Sequence, residues 1–412
     1  METVIRPENE MIDSGIEWIG EIPDNWKLVK VKNLFYIGRG RVISKLVLEN
    51  SGYPVYSSQT KNNGCLGYIS TYDFDRSQLT WTTDGANAGT VFLREGKHNC
   101  TNVCGTLMPK DENNNLRFMK YSLGFIAVYH KRADINGYKI MNNEMAEIKI
   151  TLPPLSEQQV IADYLDEKCS KIDDIIAEAK ASIEEYKELK QAVIDNATMT
   201  GIHDSEMKDT DYVWFPEMPK NWDLVLASLL FREDVRPVDA NDVSLSLSQV
   251  DGLIPTDDMS ERSLKSATHD NWKHVIPDDL VLNRFKGHLG VFFASKYTGM
   301  VSFHYGVYHA IRDNVYAKYY EYLFHSTTYK NIFALKSNGI TVGLQNLSNG
   351  NFYSVKILHP TLDEQIEIVK YLDKRTAEID SLIAEKESLI KDLESYKKSL
   401  IYEVVTGKRR VV

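Results

Sequence analysis

One long amphipathic helix occurs twice in this chain, and that duplication restricts the fold more than any other feature. Leu165, Ile172, Ala179, Tyr186 and Val193 recur every seventh residue, and Cys169, Ile176 and Ile183 follow the first three by four positions. Two rows in this relation make one stripe on a helix that winds against a partner. The pattern returns 207 positions later as Leu372, Ile379, Lys386, Leu393 and Leu400, with Thr376, Ile383 and Ile390 beside it. Neither helix can bury its stripe alone, so the two are predicted to pack on each other. The predicted seam is Leu165, Ile172, Ile176 and Ile183 against Leu372, Ile379, Ile383 and Ile390.

The repeat extends beyond the helices. Ile22-Pro23-Asp24-Asn25-Trp26-Lys27-Leu28-Val29 reappears as Met218-Pro219-Lys220-Asn221-Trp222-Asp223-Leu224-Val225, 196 positions on. Trp18 reappears as Trp214, and Leu34-Phe35 as Leu230-Phe231. The close of each globular stretch repeats as well, with Glu157-Gln158 and Tyr164-Leu165-Asp166 matching Glu364-Gln365 and Tyr371-Leu372-Asp373. A period of half the chain marks a duplicated domain, not a solenoid. The predicted division is a domain over 1–152, a long helix over 153–201, a second domain over 202–359 and a second helix over 360–412. The predicted class is α+β: two duplicated mixed α/β domains separated by two long antiparallel coiled-coil helices, with pseudo-twofold symmetry. A parallel helix pair would need a long return connection, whereas 202–362 can form a compact domain that turns the chain around. The domains are then expected at opposite ends of a helical rod.

At 412 residues the chain exceeds one ordinary core. It has four cysteines and no apolar run of membrane-spanning length. The expectation is a reduced, cytoplasmic protein with no membrane contact. The net charge of −10 would disfavour nucleic acid if it were spread evenly. It is not: residues 156–200 alone hold 11 acidic against 5 basic side chains. Acidic helices face water or protein and leave the globular parts free to meet DNA.

Along the chain, residues 1–15 are polar and expected to be loosely held. Short apolar runs predict strands over 28–37, 42–48, 53–56, 67–69, 91–93 and 103–108, a helix over 118–130 and a last strand over 148–152. Ser156 with Gln159 three residues later reads as a capping box opening the first long helix. Thr200-Gly201 closes it. The second half predicts strands over 224–231, 244–249, 274–276, 280–283, 290–294 and 300–304, and one helix over 316–334. A Gly/Asn-rich loop over 338–351 and a strand over 353–358 follow. Asp363 is expected to cap the second long helix and Thr406-Gly407 to end it. The basic tail Lys408-Arg409-Arg410 reads as solvated charge.

Catalytic signals are scarce. The chain contains no phosphate-binding Gly-x-x-x-x-Gly-Lys-Ser/Thr loop, no Gly-x-Gly-x-x-Gly turn, no Gly-x-Ser-x-Gly elbow and no Asn/Asp-Pro-Pro-aromatic segment. His98, Cys100 and Cys104 lie close together, but no second ligand pair has zinc spacing, so a structural reading is preferred and no metal is assigned. What remains is a binding surface. Residues 27–61 carry seven basic side chains and one acidic one, Glu49. The candidate DNA contacts there are Arg39, Arg41, Lys45, Ser57, Ser58, Gln59, Thr60, Lys61, Asn62 and Asn63. Thr82, Thr83 and Asn87 form a second polar loop. In the other half the candidates are Asn283, Arg284, Lys286, His288, Ser302, His304 and Tyr305. Cations, amides and hydroxyls of this kind contact phosphates and read base edges. The competing reading is a set of ordinary solvated loops. The Trp and Phe of the repeated opening phrase are assigned to each core.

The helix entries carry a specific resemblance. Pro153-Pro154-Leu155-Ser156-Glu157-Gln158-Gln159, with Ile161, Tyr164-Leu165-Asp166 and Ile172-Asp173, resembles the first conserved helical region of type I restriction–modification specificity subunits. Pro360-Thr361-Leu362-Asp363-Glu364-Gln365, with Tyr371-Leu372-Asp373 and Ile379-Asp380, resembles the second. Tyr53-Pro54-Val55-Tyr56-Ser57-Ser58-Gln59-Thr60 through Asn63-Gly64 is similar to that family's target-recognition domains. So are Asp279-Leu280-Val281-Leu282-Asn283-Arg284 and Thr298-Gly299-Met300-Val301-Ser302. His359-Pro360 departs from the double proline at 153–154. The resemblance implies a chain that reads double-stranded DNA and has no catalysis of its own. It implies two modification subunits that use S-adenosylmethionine to methylate adenine, and restriction subunits that translocate and cleave with ATP and Mg. No cofactor is then expected on this chain. Two alternatives stand beside it: a helical scaffold that binds only proteins, and a fused methyltransferase or nuclease.

Overall fold

The computed structural model describes residues 2–111, 113–135, 137–248, 252–259, 271–338 and 346–412, without the side chain of His288. The chain divides into two compact units, Met1–Lys180 with Ser388–Val412, and Ala181–Glu387. Among the described residues no helix is long and apolar enough to cross a membrane.

Strands are numbered here for the paired sheets of the two domains. In the first domain they are β1 (Phe35–Arg39), β2 (Tyr53–Tyr56), β3 (Cys65–Ile69), β4 (Phe74–Asp75), β5 (Gln78–Thr82), β6 (Val91–Arg94), β7 (Lys97–Cys100) and β8 (Cys104–Pro109). They form two four-stranded sheets, ordered β6-β5-β8-β1 and β3-β2-β7-β4, with β2 and β7 parallel. Every residue of β5 is buried, as a central strand covered on both faces requires. Trp81 on β5 lies opposite Gly105 on β8, and a Cβ at Gly105 would fall 2.3 Å from the indole. Glycine is needed there for close approach.

The second domain repeats this plan strand for strand. Its strands are β9 (Phe231–Glu233), β10 (Val243–Ser248), β11 (Gly252–Pro255), β12 (Lys273–Val275), β13 (Leu280–Asn283), β14 (Phe292–Ala294), β15 (Gly299–Val301) and β16 (Tyr305–Ala310). Their orders are β14-β13-β16-β9 and β11-β10-β15-β12, and β10 and β15 are parallel. Each number exceeds its counterpart by eight, so the two halves share order and direction even where their sequences do not align. A helix backs each first sheet: α1 (Leu116–Ala127) in one domain, α3 (Ala317–Phe324) and α4 (Thr327–Lys336) in the other. The long helices are α2 (Leu155–Thr200) and α5 (Leu362–Val405), of 46 and 44 residues.

The helices pair antiparallel. In the first unit Leu165, Cys169, Ile172 and Ile176 of α2 share a core with Leu400, Val404 and Val405 of α5. In the second unit Ile194 and Ala197 share one with Ile368, Val369 and Leu372. Leu165 and Leu372 are fully buried, and Ile172, Ile176, Ile183 and Ile379 nearly so. Ile383 and Ile390 are only half-buried.

The repeated phrases of the sequence meet in space. The Trp26 Nε1–H donates to Glu157 Oε2 at 2.9 Å, and the Trp222 Nε1–H to Glu364 Oε1 at 3.3 Å. The buried Gln158 amide donates to the Pro153 carbonyl at 2.9 Å and accepts from the Asn115 N–H at 3.0 Å. Gln365 does the same with the Pro360 carbonyl and the Tyr316 N–H, at 2.9 and 2.8 Å. Each Glu-Gln pair therefore fastens the start of a long helix to its own domain, and Trp26, Trp222, Phe35 and Phe231 all lie in the cores.

Several local expectations are corrected. The run over 28–37 is broken by a helical turn at Val31–Leu34, and the run over 224–231 by a 3-10 turn at Ala227–Leu229. Residues 42–48 contain a 3-10 turn, Lys45–Val47, and no strand; Leu46 is 95% exposed, while Ile43 and Leu48 are half-buried. The helix expected over 316–334 is two helices, because the Ser326 hydroxyl accepts the Tyr329 N–H and starts a new one. The strand expected from 353 begins at Lys356, after a helical turn at Asn349–Tyr353. The strand expected over 300–304 ends at Val301. Residue 249, and 339–345 of the expected 338–351 loop, lie outside the described residues.

The caps differ too. Ser156 sits inside the first turn of α2, where the Pro154 carbonyl accepts the Glu157 and Gln158 N–H groups. Thr361, not Asp363, caps α5: its hydroxyl accepts the Glu364 N–H at 3.4 Å and the Glu364 carboxylate accepts its N–H at 3.3 Å. The two ends of the chain are neither loose nor merely solvated. Thr3–Ile5 pairs antiparallel with Arg409–Val411, Met11–Asp13 pairs with Glu21–Pro23, and Arg410 bonds Glu10 at 2.6 Å. Gly407, at φ +78°, makes the turn into that last strand.

Candidate nucleic-acid interface

In the first domain residues 57–63 lie on the β2–β3 connection, Thr83 and Asn87 follow Thr82 on the β5–β6 connection, and both are held by β7–β8. Arg39 ends β1, whereas Arg41 and Lys45 lie between β1 and β2. The β2–β3 connection closes through the Ser57 N–H on the Gly64 carbonyl at 3.0 Å. Its tip, Asn62 and Asn63, adopts left-handed backbone at φ +49° and +51°, which asparagine tolerates better than most residues. Beneath the tip stands Arg94, 1% exposed. Its guanidinium donates to the Asn63 carbonyl at 2.7 Å and to Thr80 Oγ1 at 3.0 Å. It also lies 3.6 Å from the ring centroid of Tyr56 and 4.3 Å from that of Phe92. Burial pulls its pKa below the usual arginine value, and the surrounding groups act against that. Arg94 thus props the loop from inside. No local sequence signal marks it, because its partners lie 14 and 31 positions away.

The candidates separate by exposure. Lys45, Lys61, Asn62, Asn63 and Asn87 stand exposed, and Lys45 and Lys61 have no ion pair among the described residues. Arg39 is exposed and donates to Asn142 Oδ1 at 2.9 Å; Arg41 is exposed and held by Asp73 at 3.0 Å. Ser57 and Thr60 are half-buried, and the Thr60 hydroxyl accepts from the Asn87 amide at 3.2 Å, tying the two connections together. Ser58 and Gln59 turn inward to the carbonyls of Val103 and Cys65. Thr82 and Thr83 are buried and brace the loop: Thr82 Oγ1 accepts the Thr90 N–H at 3.0 Å, and Thr83 Oγ1 donates to the Val103 carbonyl at 2.9 Å. His98 is fully buried, with its ring nitrogens on the Gln78 amide and the Gly96 carbonyl, each at 2.8 Å.

In the second domain Asn283–Lys286 lies on the β13–β14 connection, the counterpart of β5–β6. Ser302–His304 lies on the β15–β16 connection, the counterpart of β7–β8. The counterpart of the β2–β3 connection, 249–251, lies outside the described residues. Arg284 is not a free cation. Its Nη2 donates to Glu233 Oε1 at 2.5 Å and to Asn349 Oδ1 at 2.8 Å. Lys273 Nζ reaches the same Glu233 oxygen at 2.7 Å. Burial alone would raise the Glu233 pKa, but the bonds from Lys273 and Asn349 and the Arg284 charge outweigh it and hold the carboxyl below its usual range. Asn283 forms the turn by accepting the Lys286 N–H at 2.9 Å. Ser302 and Tyr305 are half-buried, and the Tyr305 carbonyl accepts from Lys273 at 2.6 Å. Lys286 and His304 are exposed. Phe285 and Phe303, which are not among the candidate DNA contacts, stand exposed beside His304.

Both domains present exposed side chains on connections of the same two-sheet scaffold: Lys61, Asn62, Asn63 and Asn87 in the first, and Phe285, Lys286, Phe303 and His304 in the second. The type I restriction modification DNA specificity domain model matches residues 23–185 and 255–392. A Mycoplasma pneumoniae protein named for the N-terminus of a type I specificity subunit is 42% identical over 142 residues, covering 34% of this chain and 76% of its own length. The specificity subunit of the type I restriction enzyme MpnII from that organism is 38% identical over 157 residues, covering 38% of this chain and 47% of its own length. Among solved structures, a chain from a type I R-M system studied for its assembly and conformational transition matches with a TM-score of 0.66 at 13% identity, covering 94% of this chain and 99% of that one. The HsdS subunit of Thermoanaerobacter tengcongensis matches at 0.50 and 14% identity, covering 96% and 99%. At those identities the likeness is one of fold. The family match spans both domains and both helix entries, and this chain belongs to the type I restriction–modification DNA specificity family.

Proposed function

We propose that this chain is the reading subunit of a type I restriction–modification complex and carries no catalysis. Each domain reads one half of a bipartite, asymmetric target in double-stranded DNA, and the helical pair sets the gap and docks two modification subunits. S-adenosylmethionine is used on those subunits, and ATP and Mg on restriction subunits. The observation that carries this reading is that both domains are built on two four-stranded sheets of the same strand order and direction, together with the difference between their exposed connections. A shared scaffold gives two sites the same mode of docking, and unlike side chains give them different sequences to read.

The test is to map methylated sites for chimeras. Exchanging residues 202–355 for the equivalent stretch of another such subunit is expected to change one half of the target and keep the other. Both halves changing together, or one continuous recognised block, would overturn the two-reader model. Methylation by this chain alone with S-adenosylmethionine would overturn the non-catalytic role.

A further inference from the structure

The β13–β14 and β15–β16 connections of the second domain meet in a cluster of three rings. The Phe285 and His304 ring centroids lie 5.0 Å apart at 54°, and those of Phe303 and His304 lie 3.8 Å apart at 39°. Both phenylalanines face water, Phe285 at 40% and Phe303 at 52% exposure. Paired exposed aromatics on the reading side leave apolar area uncovered, which marks a contact surface. Arg284 beside them is held by Glu233 and Asn349, so what this stretch offers outward is rings, with Lys286 next to them.

Resting on the reading of the second domain as a DNA reader, we propose that Phe285 and Phe303 recognise a thymine in the second half of the target through its 5-methyl group. A phenyl ring has no hydrogen-bonding group with which to read a base edge. The apolar group that base edges present in the major groove is the thymine methyl. Apolar wedges, phenylalanine among them, can also insert between stacked bases, but insertion does not depend on a methyl group. Here the tilted rings close on His304 from two connections and form a corner, a shape that receives a methyl group. Lys286, exposed on the same turn, is placed for a phosphate alongside.

The experiment uses the complete complex with its modification subunits and a duplex carrying the mapped target. Each thymine of the second half is replaced in turn by deoxyuridine, which removes the methyl and nothing else. At one position wild type is expected to bind roughly four-fold more weakly, the order for one methyl group withdrawn from contact. Phe303→Ala and Phe285→Ala are each expected to lose that difference while still discriminating sequence in the first half, which shows that the chain is folded. The same uracil penalty in wild type and both variants overturns the proposal, and so does the absence of any penalty in the second half. Variants that shed the modification subunits but keep the uracil penalty would make the cluster a protein-docking surface and overturn it as well. Failure of wild type to bind any bipartite target would instead strike at the two-reader model itself.

Discussion

Lys397 on α5 donates to both carboxylate oxygens of Asp173 on α2 at 2.6 Å, and Lys190 repeats the bond with Asp380 at 2.7 Å. Lys190 and Lys397 are 207 positions apart, as are Asp173 and Asp380, so the duplication sets the helix register twice with one motif. The carboxylates are over half exposed, which limits the energy. A double-mutant cycle on Asp173→Ala and Lys397→Ala, read by denaturant unfolding, is expected to give a coupling of about 0.2–1 kcal/mol. A coupling well above that would mean the pair is desolvated.

The seam is uneven. Leu165 and Leu372 are fully buried, whereas Ile383 is half-buried. Leu165→Ala and Leu372→Ala are each expected to cost about 2–5 kcal/mol and Ile383→Ala clearly less. Equal losses at all three positions in denaturant melts would contradict this gradient.

Gln158 and Gln365 each serve a carbonyl and a backbone N–H at a helix entry. Replacement by leucine leaves those groups unpartnered inside the protein. The expected loss is about 1–3 kcal/mol per site, measured as the shift in unfolding free energy. Thr361→Ala removes only a cap and is expected to cost about 1 kcal/mol.

Acid stability should depend on His325, whose pKa is pushed down to about 3 by burial and, secondarily, by Lys330 and Lys318. The unfolded chain takes up this proton below about pH 6.5, whereas the folded chain stays neutral until about pH 3. Stability is therefore complete above about pH 6.5 and is lost as the pH falls, by up to about 1.4 kcal/mol per pH unit. His325→Phe is expected to flatten the slope of stability against pH between 6 and 4 in unfolding titrations, roughly the window over which that proton is taken up. An unchanged slope would show that His325 protonates freely in the folded state.

Lys61 and Asn62 occupy one exposed turn but should fail differently. Lys61→Ala is expected to weaken all DNA sequences alike and to reduce the salt slope of binding by about 1. Asn62→Ala is expected to relax one position of the first half by about 1–3 kcal/mol without moving the salt slope. Binding measured across a salt series on matched and mismatched duplexes separates the two.

The duplication, the two long helices and the positions of most strands are legible in the order of residues alone. Those follow from periodicity, which is local and survives divergence because each apolar face must be buried. The order of residues also picks out the connections rich in amides and cations. Which of those side chains are free depends on contacts that the fold makes between distant residues. Arg284 reads as an exposed cation until Glu233, 51 positions away, is seen to hold it. Thr82 and Thr83 read as loop hydroxyls until the sheet buries them. Arg94, the buried post under Asn63, has no local signal at all, because a cation is tolerated in a core only when distant strands bring it acceptors and aromatic faces. The caps follow the same logic: composition favours Asp363, yet Thr361 caps, since which residue caps depends on the backbone angle at the helix entry, and composition does not set that angle.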